Sequence, residues 1–401
     1  MRILFVAQTY FPYLAEGGRP AKVRTLSQEL SHRRHQVTVL TADLGPSEWA
    51  QQSISPVKCA FGLTHSENGV RAVYLPSWLR YRALTLNPRV IRFSHSALEE
   101  FDLVHVFGLY DLLGPSVGHF CRHRAIPYLV EPMGMFLPID RSVLAKRLWH
   151  ATVGSSFWRN ASLIVATSEL EEEELLTAGV PPEKVVVRYN GIETETAAAL
   201  PARGSFRGKH AIGVDEPLIL FLSRLIPRKS ADMLIEAFAE ACPAKGRLVI
   251  AGPEGEPGYL ARLQEFTRTS GVSSRVVFTG PLYGDEKLAV FADSDLFVLP
   301  SRYENFANVA AEAIACGVPV IISRNCGIRT LVEGRAGLVI DVDRSALVAA
   351  LHSLLSDSAL YSQMKNGCRS VAEQLCWTNI AGQMESHYEC VLAKAKSDAP
   401  R

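Results

Sequence analysis

Short apolar runs alternate with longer amphipathic segments along the whole chain. Residues 3–7, 37–41, 103–107, 128–130 and 163–166 read as buried strands, and 21–33, 88–101, 112–124, 144–158 and 169–178 as helices. Strands that alternate with helices form a parallel sheet covered on both faces. The pattern then restarts, with strands expected at 218–222, 247–251, 276–279, 296–299 and 318–322 and helices at 232–241, 259–270, 285–292 and 307–316. Residues 194–215 separate the two series, are rich in Ala and Gly and carry no strand pattern. The expected organisation is therefore a domain at 1–193, a link at 194–215, a second domain at 216–375, and a last helix and tail at 376–401 that can cross back to the first domain. Sheets of this kind bind ligands outside the carboxyl ends of their strands, so two such domains are expected to face each other across a ligand-binding cleft.

Composition changes this picture little. With 48% hydrophobic and 21% charged residues in 401, the chain is long enough for two cores, and disorder is expected only at the last few residues. The net charge of +1 makes no case for nucleic acid. It hides an asymmetry, however: residues 1–160 carry 18 Lys and Arg against 11 Asp and Glu, and the rest 24 against 30. A basic first domain suits an anionic lipid surface, or else it is a scatter of solvated arginines. The segment 74–93 sharpens that choice, since Trp78, Leu79 and Tyr81 stand among Arg80, Arg82, Arg89 and Arg92, while Lys146 and Arg147 lie further on. The eight cysteines show no metal-ligand spacing, which fits reduced thiols. The chain opens on a strand pattern without a leader, and no run approaches the roughly 18 apolar residues of a spanning helix. A cytoplasmic protein, with peripheral contact at the inner membrane face as an option, is the expectation.

Candidate chemistry is densest in the second half. After the strand at 296–299 comes Ser301-Arg302-Tyr303-Glu304-Asn305-Phe306-Ala307-Asn308, then an Ala-rich helix expected from about Phe306. The first-turn amides of such a helix lack internal partners and, with the helix dipole, suit a diphosphate. Glu304 stands before the helix and Glu312 two turns inside it, and a carboxylate can accept two hydroxyl bonds from a vicinal diol. Either residue alone is more simply a surface charge. Glu312, however, sits among Ala313, Ile314, Ala315 and Cys316, where a charge needs a partner. After the strand at 218–222, Ser223-Arg224-Leu225-Ile226-Pro227-Arg228-Lys229 places Arg224 and Lys229 across a proline turn. Fixed cations at a strand end can neutralise charge growing on a leaving diphosphate.

These residues carry a family resemblance. The run Ser223 to Ser230, Leu234-Ile235-Glu236-Ala237-Phe238, Val249-Ile250-Ala251-Gly252-Pro253, Val277-Phe278-Thr279-Gly280, and Glu304 and Glu312 closed by Ala315-Cys316-Gly317-Val318-Pro319-Val320 resemble the retaining glycosyltransferases of the glycogen-synthase-like family four, as do Cys326-Gly327 and Gly334-Arg335-Ala336-Gly337-Leu338. The resemblance implies a GT-B fold of two Rossmann-like domains, a nucleotide diphosphate sugar as donor (UDP before GDP), no cofactor or obligate metal, and retention at the anomeric carbon. It implies that Arg224 and Lys229 hold the diphosphate, that Glu304 binds the sugar with Asn305, Phe306, Ala307 and Asn308 beside it, and that Glu312 binds the ribose. Ser223, Gly252 and Pro281 fall at further donor positions.

In the first domain, Gly17-Gly18 matches the loop that the family places beside the donor phosphates; taken alone, the pair is a turn. Many relatives end the strand at 128–130 with a histidine near sugar and acceptor, but that position here is Met133, in Glu131-Pro132-Met133-Gly134-Met135. A subgroup of bacterial surface-polysaccharide transferases looks similar at this turn. Glu131 and Asp111 are then the candidates for orienting or deprotonating an acceptor hydroxyl, and His105 either faces the acceptor or is a satisfied core histidine. Ser168 followed by Glu169 to Glu174 reads as a capped helix start. The expected activity is transfer of a sugar to a saccharide or lipid-linked acceptor in polysaccharide or glycoconjugate synthesis. A nucleotide-sugar epimerase, which needs no acceptor, and a non-catalytic nucleotide-sugar-binding partner share these features and would differ in product analysis.

Overall fold

A computed structural model of the chain describes residues 1–14, 18–81, 84–137, 143–193, 200–241, 245–397. The chain divides into two units, one made of Met1–Gly191 with Trp377–Arg401 and the other of Ile192–Cys376. Among the described residues, no helix is long and apolar enough to cross a membrane.

The first unit contains β1 (Arg2–Ala7), β2 (Gln36–Ala42), β3 (Val57–Cys59), β4 (Gly62–Glu67), β5 (Val70–Leu75), β6 (Leu79–Tyr81), β7 (Leu84–Leu86), β8 (Leu103–Phe107), β9 (Tyr128–Glu131), β10 (Leu163–Ala166) and β11 (Val185–Val187). Nine of these form one sheet in the order β11-β10-β9-β8-β1-β2-β5-β4-β3, while β6 and β7 pair separately. The central strands are parallel and buried on both faces, as their unbroken apolar runs require. The antiparallel β3–β4–β5 edge and the β6–β7 hairpin go beyond the sequence expectation. The helix Gly18–His32 covers one face, its Lys22, Leu26 and Leu30 falling on one stripe toward the sheet. The last helix, Trp377–Ser397, packs beside it, and Arg33 and His35 both reach Glu385 at 2.9 Å. The single helix expected at 144–158 is three continuous pieces, Val143–Trp149, a π-turn at His150–Gly154, and Ser155–Arg159.

The second unit contains β12 (Leu218–Leu222), β13 (Arg247–Ala251), β14 (Val276–Gly280), β15 (Leu296–Leu299), β16 (Val320–Ser323) and β17 (Gly337–Ile340), all parallel in the order β14-β13-β12-β15-β16-β17. Both sheets are doubly wound, and each has a point where successive strands turn from one side to the other. In the first sheet that point lies between β1 and β8, and in the second between β12 and β15.

The expected link at 194–215 needs correction. Residues 194–199 fall outside the described residues, but the rest belongs to the second unit through the helix Ser205–Lys209. Arg207 is buried there. Its guanidinium donates to the carbonyls of Gly213 (2.6 Å), Glu216 (2.8 Å) and Asp293 (3.0 Å) and to the Asp295 carboxylate (2.8 Å). A composition that looked like a spacer is fastened by one cation.

Candidate functional site

In the second unit, three neighbouring strand ends build the site. The turn after β12 continues into Pro227–Lys229, and the Arg228 carbonyl accepts from the amide of Arg302 (2.8 Å) and the hydroxyl of Ser301 (3.2 Å) in the turn after β15. The turn after β16 then grips Glu304: its amide donates to the Asn325 carbonyl and its carbonyl accepts from the Gly327 amide, each at 2.9 Å. The backbone around Glu304 is thus fixed from both sides, independently of its side chain. Within this frame the buried Lys229 ammonium pairs with the Glu304 carboxylate. The pair stands between the carboxyl ends of β12 and β15, at the switch point where open α/β sheets take ligands. Both groups are charged, held by backbone, and shielded from water on most sides, so that a ligand's polar groups there meet fixed charge instead of mobile solvent.

The other donor candidates lie along the same edge. Ser223 follows β12 and donates its amide to the Ala251 carbonyl at 3.1 Å; Arg224 is exposed beside it. Gly252 follows β13, and its amide reaches the Gly280 carbonyl at 2.8 Å, with exposed Pro281 next in the chain. Asn305, Phe306 and Ala307 run from Glu304 to the helix Asn308–Ala315. The helix starts two residues later than its sequence pattern suggests because Ala307 takes a left-handed conformation, φ 76°, which helical backbone cannot continue from. Glu312 does have the partner its apolar setting demanded: Lys287, from the helix Gly284–Asp293, lies 2.6 Å away. Glu304 and Glu312 therefore each face a different lysine.

Gly252 illustrates how tightly the edge is built. Its φ is +140°, and a Cβ there would stand 1.8 Å from the carbonyl oxygen of Ser223. We expect Gly252→Ala to push β12 and β13 apart at this end and to lower unfolding stability by about 1–3 kcal/mol, the scale of a forced backbone strain. Urea unfolding of the two proteins would measure it, and an unchanged midpoint would mean that the close approach is not needed.

The first unit distributes its candidates differently. Gly17 lies outside the described residues; Gly18 opens the helix Gly18–His32 at the carboxyl end of β1. His105 is a core residue, contrary to an acceptor-facing role. It lies mid-strand, fully buried, with its Nδ1 2.8 Å from the Tyr388 hydroxyl, and burial drives its pKa down to about 3. Asp111 is also buried. Its carboxylate accepts from the Gly114 amide (2.9 Å) at the start of the helix Leu113–His123, and burial raises its pKa against the pull of that bond and of Arg19. Glu131 belongs to β9 and has no exposed surface, which overturns its assignment as a base toward an acceptor hydroxyl. Both of its oxygens are committed, one to Lys22 and the other to Arg188. Burial opposes its ionisation, but Arg188, Lys22 and His105 together outweigh that and hold the carboxyl at about 2. Burial pulls Lys22 the other way, to about 8, so the pair remains charged at neutral pH.

Met133 is half-buried at φ 57° and is followed by Gly134 at φ 74°. This left-handed turn is held by Glu171, expected from the sequence only as one charge of the capped helix start after Ser168. The Glu171 carboxylate accepts from the Gly134 amide at 2.5 Å and from the amide and hydroxyl of Thr167 at 2.8 Å each, and burial raises its pKa. The signal was the spacing Ser168-x-x-Glu171, whose capping half is present: the Ser168 hydroxyl accepts from the Glu171 amide at 3.1 Å. For Lys22 the signal was a cation on the apolar stripe of its helix. Arg188 gave none.

Two Rossmann-like units, the second with a largely shielded ion pair at its switch point, give the GT-B fold, and comparison with known proteins gives the family. Residues 17–191 match the glycosyl transferase 4-like domain and residues 202–371 the glycosyl transferases group 1. A D-inositol 3-phosphate glycosyltransferase from Xylanimonas cellulosilytica is 30% identical over 93% of this chain and 91% of its own. A GDP-mannose-dependent alpha-(1-6)-phosphatidylinositol monomannoside mannosyltransferase from Mycolicibacterium smegmatis is 31% identical over 73% of this chain and 76% of its own. Among solved structures, HepE of Anabaena in complex with UDP superposes with a TM-score of 0.76 at 20% identity, covering 97% of this chain and all of that one. The chain belongs to the group 1 glycosyltransferases, and its activity is glycosyl transfer.

Proposed function

We propose that the donor is a nucleoside diphosphate sugar, with UDP favoured over GDP, and that the sugar passes to a saccharide or lipid-linked acceptor with retention of anomeric configuration, in polysaccharide or glycoconjugate synthesis on the cytoplasmic side. The observation that carries this reading is the Lys229–Glu304 pair at the β12/β15 switch point. As the glycosidic bond breaks, negative charge grows on the leaving diphosphate and positive charge on the sugar ring. Lys229, Arg224 and the start of the helix Asn308–Ala315 would meet the first, and the Glu304 carboxylate would hold the sugar hydroxyls. Side chains then supply the charge that a bound metal supplies in other transferases, and a chelator should leave the rate unchanged. The acceptor would be met by the first unit, where the helix start at Gly18 and the Met133-Gly134 turn both follow strands of its sheet. Front-face attack assisted by the leaving phosphate accounts for retention.

Glu312 provides a test that separates donor binding from chemistry. A carboxylate that accepts both hydroxyls of a ribose contributes equally to the ground and transition states, so Glu312→Gln should raise the KM for donor with kcat little changed. Steady-state rates with UDP- and GDP-sugars, with product configuration read by NMR, measure this. A fall in kcat at constant KM would move Glu312 out of the ribose role. Interconversion of the donor without any acceptor would replace transfer by epimerisation.

A further inference from the structure

Several of the largest exposed apolar side chains of the first unit gather on two elements. In the β6–β7 hairpin, Leu79 stands opposite Leu86 and Tyr81 opposite Leu84, so these four positions share one face. Arg80 and Thr85 form the remaining pair on the other face, where Thr85 is buried against Gln8 and Asn87. The hairpin is thus pinned by its polar side and turns its leucines outward: Leu79 is 66% exposed, Leu84 41% and Leu86 42%. Trp78, whose amide donates to the Leu86 carbonyl at 2.9 Å, is 73% exposed. On the helix Val143–Trp149, Leu144 and Leu148 lie one turn apart and are 80% and 66% exposed. Lys146 of this helix sits over the Tyr110 ring, 5.5 Å from its centroid, which ties the helix to the segment following β8. The hairpin follows β5 and is tied back to it by Asn87, which donates to the Leu75 carbonyl at 3.1 Å. The strands β5, β8 and β9 run parallel, so both elements emerge at the same edge of the sheet.

Charge identifies what these faces meet. Residues 71–98 hold five arginines and no Asp or Glu, and residues 141–168 hold four Lys and Arg and no Asp or Glu. Arg80, Arg89, Arg92 and Arg147 are exposed: Arg147 shares its helix with Leu144 and Leu148, Arg80 belongs to the hairpin's other face, and Arg89 and Arg92 follow on the next helix, Arg89–Ala97. A protein partner with a shaped pocket would not need two separate apolar faces, each carried on a segment whose charged residues are all cations. A laterally uniform layer of anionic headgroups above acyl chains suits both at once, since the cations meet phosphate and the apolar side chains enter the boundary beneath. We propose that the β6–β7 hairpin and the helix Val143–Trp149 form a docking rim for an anionic phospholipid bilayer, with Trp78, Leu79, Leu84, Leu86, Leu144 and Leu148 entering the headgroup layer. An acceptor anchored in that layer would be presented to the carboxyl edge of the first sheet. The docking itself needs no donor chemistry and is tested without turnover.

The experiment is co-sedimentation of the full chain with vesicles of phosphatidylcholine containing phosphatidylglycerol, against vesicles of phosphatidylcholine alone, at low and high salt. Binding is expected to the anionic vesicles and to weaken as salt rises. The double variants Leu79→Ser with Leu86→Ser and Leu144→Ser with Leu148→Ser should each weaken it by more than about tenfold, the scale of two leucines withdrawn from an apolar layer. Both pairs are exposed, so unchanged melting temperatures should accompany the loss. Absence of binding to anionic vesicles, equal binding to neutral ones, or full binding by the leucine variants would each overturn the proposal. So would a dimeric wild-type chain that turns monomeric in those variants, because a second copy would then occupy the face.

Discussion

Lys229→Ala is expected to lower kcat/KM for sugar transfer by about 10²–10³, the cost of removing one fixed donor from a site of developing charge. Two effects act together. Lys229 is buried beyond the end of β12 and held by a turn whose Arg228 carbonyl is already bonded across to Ser301 and Arg302 in the turn after β15, so its charge is positioned before the donor arrives. Its removal also leaves the Glu304 carboxylate without the counter-charge it now has, beside an incoming diphosphate of the same sign. Lys229→Arg keeps the charge but spreads it over a planar fork that needs more room, so only partial recovery is expected. Glu304→Ala should also lose more than about tenfold, and the result will be readable because the backbone of Glu304 is held by Asn325 and Gly327 and not by its side chain. Steady-state kinetics on folded protein, checked by circular dichroism, decide the matter. Rates close to wild type in both variants would remove the site from the β12/β15 edge.

That edge was partly legible in the sequence. Strands buried on both faces are continuous apolar runs, and each strand that carries a site residue could be read from its composition. Arg224, Lys229 and Glu304 could be placed just after such runs. Which strands are neighbours could not be read: β12 lies beside β15, some 75 residues further on, and only that order brings Lys229 to Glu304. Short, half-exposed antiparallel strands escaped for the opposite reason. β3 and β4 mix exposed and half-buried positions, and β6 and β7 are only three residues long, so their pattern does not stand out from a loop. The buried polar residues of the first unit were the least legible. Lys22, Glu131 and Arg188 meet from positions more than 50 residues apart. A carboxylate after an apolar run reads equally as a base facing a ligand or as the middle of a charge cluster, and the cations that decide between these belong to other elements. A histidine within a strand is ambiguous in the same way until Tyr388 of the last helix is seen against it.

Those two readings of Glu131 make opposite predictions. As the centre of a buried charge cluster, Glu131 should matter for stability and little for the chemical step. Glu131→Ala leaves Lys22 and Arg188 buried without counter-charge and should lower unfolding stability by about 3–5 kcal/mol, the usual cost of breaking a buried ion pair from one side. The carboxyl held at about 2, below its ordinary 4.5, points the same way, because its cationic partners favour the charged form in the folded state. The pH dependence has a definite sign. Because the folded-state pKa lies below the unfolded one, this stability is fully present above pH 4.5 and is lost as the pH falls toward about 2. The wild-type chain should therefore lose stability through that window more steeply than Glu131→Gln, which starts lower and has no such carboxyl to protonate. Urea unfolding across pH would show the two curves converging in acid. At a temperature where the variant remains folded, Glu131→Gln should retain kcat within a few-fold of wild type, because a carboxylate with both oxygens bound to cations and no exposed surface has no path to an acceptor hydroxyl. A variant as stable as wild type but with a collapsed kcat would reverse the assignment and return Glu131 to the acceptor.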